Sequence, residues 1–91
     1  MSGQSQSLTI LGATGSIGSS TLEIVREHPE RFSITALTAE KNVDKLAALA
    51  KEFKPQYVVI GDYNLYEHIA ILLKDTDIKI MAGREALIEV A

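Results

Sequence analysis

The chain has 91 residues, 46% of them hydrophobic and 23% charged, which fits one soluble globular domain and excludes two. Lys and Arg number 9 against 12 Asp and Glu, and the net charge of −3 argues against nucleic-acid binding. The absence of cysteine excludes disulfides and zinc–thiolate sites. With no membrane-length apolar run and no secretory signal, we expect a cytoplasmic protein without a membrane partner.

The first two predicted elements flank a turn. Met1–Ser7 is polar and is expected to be a disordered tail. Leu8–Leu11 is a short apolar run that ends in glycine, as a buried strand does. A helix with one apolar side follows from Ser16, and Pro29 stops it because a residue before proline avoids the α region.

The middle of the chain repeats this alternation. Phe32–Leu37 mixes aromatic and β-branched residues and predicts the second strand. Asn42 is a candidate N-cap for a second amphipathic helix, which Pro55 ends. Tyr57–Ile60 is then a third buried strand.

The last third completes a β-α-β-α-β-α-β-α order. Apolar residues between Leu65 and Leu73 mark a third helix, Ile78–Met81 a fourth strand, and Glu85–Ala91 a final helix. The alternation predicts an α/β fold, a Rossmann-like parallel sheet with helices on both faces. For a mononucleotide-binding half we expect strand order 3-2-1 with the fourth strand beyond the first.

Three glycines lie between the first strand and the first helix. Gly12, Gly15 and Gly18 have the spacing G-x-x-G-x-x-G, which allows a sharp turn, close approach of the backbone to a pyrophosphate, and close packing of the helix. The N–H groups at the start of the helix would face the same anion. A structural turn is the alternative, and a P-loop is excluded because no G-K-[ST] follows.

The end of the second strand should select the dinucleotide. Glu40 alone favours NAD, through the ribose hydroxyls, whereas Lys41 with Asn42 favours the 2′-phosphate of NADP. Equally, these residues fit a solvated loop and a helix cap. The residue types alone leave the choice open.

Several stretches together resemble one family. They are L-G-A-T-G-S-I-G at 11–18, A-L-x-A-x-x-N-V at 36–43, Lys54-Pro55 and Gly83, and they resemble the amino-terminal domain of 1-deoxy-D-xylulose 5-phosphate reductoisomerase over residues 8–91. The resemblance implies an oxidoreductase of the non-mevalonate isoprenoid pathway. Such an enzyme converts 1-deoxy-D-xylulose 5-phosphate to 2-C-methyl-D-erythritol 4-phosphate with NADPH and a divalent metal, Mg²⁺ or Mn²⁺. It also implies a homodimer.

The resemblance assigns cofactor contacts to two segments. Residues of the glycine loop would meet the pyrophosphate and reach towards the nicotinamide, and two residues after the second strand would bind the 2′-phosphate: Gly12, Thr14, Gly15, Ser16, Ile17, Lys41 and Asn42. Glu40 departs from the family, in which a small residue is common. A carboxylate there should weaken NADPH binding unless it points to solvent or pairs with Lys41.

No catalytic or metal-binding residue of the family falls in this chain. We therefore expect 8–91 to be an NADPH-binding domain truncated before the catalytic domain, inactive alone and able to self-associate through an exposed strand edge. Asp62, Asp75 and Asp77 lie in predicted turns, where aspartate normally bonds its own backbone. The alternatives are the cofactor domain of another NADP-dependent reductase, of the semialdehyde dehydrogenase type, and a non-catalytic dinucleotide-sensing module.

Overall fold

The computed structural model describes residues 6–83 and residue 86 of the chain. Parallel strands alternate with helices, as the sequence predicts, and a 3-10 turn precedes the third helix. The elements are β1 (Gln6–Ile10), α1 (Ser16–Glu27), β2 (Phe32–Ala39), α2 (Val43–Phe53), β3 (Tyr57–Ile60), the 3-10 turn (Tyr63–Leu65), α3 (Tyr66–Leu72) and β4 (Lys79–Ala82). None of the helices in these described ranges has the length and apolar character needed to cross a bilayer.

The first strand begins within the segment that the sequence predicts to be a disordered tail. β1 begins at Gln6, so the last two residues of the expected tail pair with Phe32 and Ser33 of β2. The preceding part of that tail, 1–5, lies outside the described residues. So does most of the expected fourth helix, of which Ala86 alone is described, as helical and buried.

The strand order differs from the expected one. The sheet runs β1-β2-β3-β4, so the fourth strand pairs with the third and not with the first. The third crossover thus continues in the direction of the first two, as sequential strands commonly do. A switch point at β1 would need a strand on its other edge, and none of the described residues supplies one.

The three helices between strands pack on one face of the sheet, in one cluster with the strand residues of that face, so the described helices do not cover both faces as the sequence predicts. Right-handed crossovers that advance in one direction place their helices on the same side. On α1, Arg26 donates to Glu52 of α2 (Nη2–Oε1 2.9 Å) and also pairs with Glu23. The hydrogen bond lowers the pKa of Glu52 and raises the pKa of Arg26. The Arg26 guanidinium lies 5.2 Å from the centre of the Phe53 ring, which adds a cation–π contact between α1 and α2.

Local residues set the helix ends. α1 ends at Glu27, two residues before Pro29, and α2 ends before Lys54, which adopts the left-handed conformation (φ 52°) ahead of Pro55. Asn42 caps α2 as expected, its Oδ1 accepting from the N–H of Lys45 at 3.3 Å. Between helices and sheet lies a core whose largest members on this face have almost no exposed surface: Leu22, Leu37, Leu46, Ile60, Ile69 and Leu73.

Gly18 lets the first turn of α1 rest against the loop after β1. A β-carbon there would lie 2.5 Å from the Gly12 carbonyl oxygen and 2.8 Å from the Ala13 α-carbon. Both are backbone atoms of a loop that is packed into the core, so they cannot yield as a flexible side chain would.

We expect Gly18→Ala to destabilise the fold. Helix propensity alone would favour alanine by about 1 kcal/mol, whereas overpacking costs about 1–3 kcal/mol, and the clash with backbone should dominate. The measurement is thermal unfolding followed by circular dichroism. Gly15→Ala is the matched control, because its β-carbon would lie 3.4 Å from the Gly12 oxygen, an ordinary contact. A melting temperature raised by Gly18→Ala would contradict the expectation.

Candidate functional site

The glycine loop lies at the carboxyl edge of the sheet, where ligands of parallel α/β proteins bind. It turns at Gly12, whose positive φ of 64° favours glycine, and closes with a 2.9 Å hydrogen bond from the Gly15 N–H to the Gly12 carbonyl. Between these glycines Ala13 has no exposed surface and belongs to the core. The buried Ala13 therefore anchors the loop to the core, while Gly12 and Gly15 are exposed to solvent.

Thr38 near the end of β2 anchors this loop. Its Oγ1 accepts from the Gly12 N–H at 2.9 Å, and its carbonyl accepts from the Ala13 N–H at 2.7 Å. Thr38 is the buried polar residue of the described core, with 2% of its surface exposed. Its role is not among the sequence-based predictions, although a hydroxyl at the end of an apolar strand is a signal for such an anchor.

The start of α1 presents unpaired donors above the loop. Gly15 is the N-cap in an extended conformation (φ −87°, ψ 176°), and no side chain caps the helix. The N–H groups of the first turn, from Ser16 to Gly18, have no intrahelical acceptor. The first turn also carries no acidic residue, so no fixed negative charge competes for these donors. Such an arrangement binds an anion.

Ile17 is the most exposed large apolar residue described, at 83%. It lies in the first turn of α1, next to the N–H donors, and the core does not use its side chain. An exposed isoleucine alone is ordinary. At this place it offers an apolar surface directly beside an anion-binding backbone.

In the segment after β2, the acidic side chain lies over the end of β3, whereas the next two polar residues are exposed. The Glu40 carboxylate lies over Gly61 at the end of β3, so close that a β-carbon on Gly61 would overlap it. Among the described ion pairs, none joins Glu40 to Lys41. Lys41 is exposed, and the exposed Asn42 uses its amide oxygen for the cap, which leaves its NH₂ as a donor.

Lys45 is a second residue of this region that is absent from the sequence-based predictions. It lies in the first turn of α2, and its Nζ reaches 3.4 Å from the Thr14 carbonyl oxygen of the glycine loop. The available sequence signal is a lysine three residues after the predicted cap Asn42, which indicates an exposed position in the first turn of a helix but not the direction of its side chain. The structure thus brings the glycine loop and the start of α2 together through this side chain.

The turn acids behave as isolated residues. Asp62 Oδ1 accepts from the Asn64 N–H at 2.9 Å, a bond to nearby backbone typical of turn aspartates. Across 6–83 and residue 86, no three His, Asp or Glu side chains gather closely enough to hold a metal ion.

Comparison with known proteins identifies relatives over nearly the whole chain. The family model for 1-deoxy-D-xylulose 5-phosphate reductoisomerase matches residues 8–91. The reductoisomerase of Laribacter hongkongensis is 43% identical over 94% of this chain, and that of Ralstonia nicotianae 50% identical over 92%. In each case the match covers 22% of the relative, so the chain spans about a fifth of the length of these curated relatives.

Solved structures agree with this assignment. The reductoisomerase from Zymomonas mobilis in complex with NADPH superposes with a TM-score of 0.92 at 41% identity, over 94% of this chain and 23% of that one. A crystal structure of DOX-P reductoisomerase in complex with NADPH, fosmidomycin and magnesium gives 0.88 at 49% identity, over 93% and 21%. The chain belongs to the 1-deoxy-D-xylulose 5-phosphate reductoisomerase family.

Proposed function

We propose that this chain binds NADPH, as the cofactor-binding part of an enzyme that converts 1-deoxy-D-xylulose 5-phosphate to 2-C-methyl-D-erythritol 4-phosphate. The observation that carries the proposal is the open first turn of α1, free of acidic residues, above a glycine loop held on Thr38. The Zymomonas mobilis relative, which was solved with NADPH, supports the choice of cofactor. When bound, NADPH supplies the hydride for the reduction.

Seven residues would make the contacts. The backbone of the glycine loop and the first N–H groups of α1 would hold the pyrophosphate, Ile17 would lie against the nicotinamide end, and the segment after β2 would bind the 2′-phosphate: Gly12, Thr14, Gly15, Ser16, Ile17, Lys41 and Asn42. The residues fit the cofactor chemically, since an ammonium and an amide NH₂ both donate to a phosphate.

The remaining parts of the reaction need residues that the relatives carry outside the matched region. We assign the divalent metal, magnesium or manganese, and the sugar-phosphate substrate to the part of the family's proteins outside the match, so these 91 residues alone should not oxidise NADPH. The family also favours a cytoplasmic homodimer. The matched relatives favour this function over that of a semialdehyde dehydrogenase. A non-catalytic dinucleotide sensor is distinguished by fusing this chain to the remaining sequence of a relative: a sensor would bind NADPH, but the fusion would show no turnover.

The first prediction concerns cofactor choice. The chain should bind NADPH more tightly than NADH by about tenfold or more, because one hydrogen bond to a charged group contributes about 1.5–3 kcal/mol. Lys41→Gln should reduce this preference. Calorimetric titration of both cofactors measures it, with Lys74→Gln, an exposed lysine beyond α3, as the control. Equal affinities, or a preference for NADH, in the unmodified chain would contradict the proposal.

The second prediction concerns the loop. Gly15→Val should abolish NADPH binding, because a branched side chain would occupy the space through which the pyrophosphate approaches the backbone. Circular dichroism should still report a folded chain, since Gly15 has a φ of −87°, which valine can adopt. Ser20→Val, which introduces the same side chain in the second turn of α1, is the matched control. NADPH affinity retained by a folded Gly15→Val would show that the loop is not the site.

The third prediction concerns Glu40. Replacing it with glycine or glutamine should leave NADPH affinity unchanged or raise it up to about threefold, because the carboxylate repels the phosphate but is directed over Gly61. Glu67→Gln, which removes an exposed acid of α3, controls for net charge. A large loss of affinity in both Glu40 variants would mean that Glu40 holds the binding segment in place.

A further inference from the structure

Lys45 has an arrangement that the packing of the chain does not explain. Its backbone N–H is bound to the cap Asn42, so the residue lies in the first turn of α2, where the helix dipole disfavours a cation. Its side chain nevertheless extends back to the glycine loop, with the Nζ 3.4 Å from the Thr14 carbonyl. That single neutral acceptor at the edge of hydrogen-bonding distance is weak compensation for an ammonium.

The acids around Lys45 are turned away from the loop. The segment from 40 to 45 contains two acids and two lysines, so by count its charges cancel. However, the Glu40 carboxylate lies over Gly61 beside β3. Asp44 lies towards α3, with its Oδ1 3.7 Å from His68 Nε2. The side of this segment that faces the glycine loop therefore carries positive charge, contributed by Lys45.

We propose that Lys45 is a specificity-determining residue, a second cation for the 2′-phosphate of NADPH, which exchanges its contact with Thr14 for the phosphate on binding. The inference rests on the proposed function. A phosphate monoester carries a charge of about −1.5 to −2 at neutral pH, more than one lysine neutralises. The pyrophosphate, by contrast, would be met by the N–H groups of the first turn of α1, where no side chain caps the helix.

The test compares two lysines of one helix. Lys45→Gln and Lys51→Gln remove the same charge from α2, but Lys51 lies in its last turn, away from the loop. Titrations with NADPH and with NADH separate the 2′-phosphate from the rest of the cofactor. We expect Lys45→Gln to weaken NADPH binding about tenfold, with NADH binding changed less than twofold. Lys45→Arg should retain NADPH affinity, and Lys51→Gln should change neither.

Other outcomes overturn the inference in distinguishable ways. An equal loss of NADPH and NADH affinity in Lys45→Gln would assign the ammonium to the pyrophosphate or to the loop's structure. Unchanged NADPH affinity, together with a loss in Lys41→Gln, would remove Lys45 from the site but leave the proposed function in place. If the unmodified chain binds neither cofactor, the proposed function and this inference both fail.

Discussion

The two hydrogen bonds between Thr38 and the glycine loop fix the position of everything else in the candidate site. They join the loop after β1 to the neighbouring strand at 2.9 and 2.7 Å, and the second of them, from the Ala13 N–H to the Thr38 carbonyl, lies between two buried residues. Loss of the acceptor for the buried Ala13 N–H would leave that donor unsatisfied, at a cost of about 1–3 kcal/mol. Because the two bonds tie the loop to β2, they position the start of α1 relative to the segment after β2.

The electrostatic potential at the site depends more on the directions in which charged side chains point than on the net charge of the chain. The whole chain is acidic, and the short segment after β2 is neutral by count. Yet its carboxylates face β3 and α3, and its lysine at 45 faces the loop. An anion approaching the glycine loop meets backbone donors and an ammonium, so a locally favourable potential exists on a protein of unfavourable total charge.

The helices and strands could be predicted from the sequence because their ends are set by local residues. β3 has the predicted bounds, α1 stops ahead of Pro29, and Asn42 caps α2, because each depends on neighbouring residues only. The order of the strands in the sheet could not be predicted in the same way. Whether a crossover continues or reverses depends on contacts between distant segments, and the expectation placed β4 beside β1 instead of β3.

The directions of the side chains were the second feature that the sequence did not predict. Glu40 stood out as a departure from the family, but its orientation over Gly61 depends on a strand that comes twenty residues later. Thr38 and Lys45 escaped notice because their types are ordinary where they occur, in a strand and on an exposed helix face. Their partners, Gly12, Ala13 and Thr14, are distant in sequence.

The complete burial of Ala13 has a thermodynamic consequence. The residue belongs at once to the ligand-facing loop and to the core, so an opening of the loop that exposed Ala13 would break core contacts. A ligand held there counts fully towards folding: at a concentration a hundred times its dissociation constant it would add about 2.7 kcal/mol to the free energy of unfolding. Conversely, a substitution that loosens the core far from the loop lowers the population able to bind, and so weakens apparent affinity without touching the ligand.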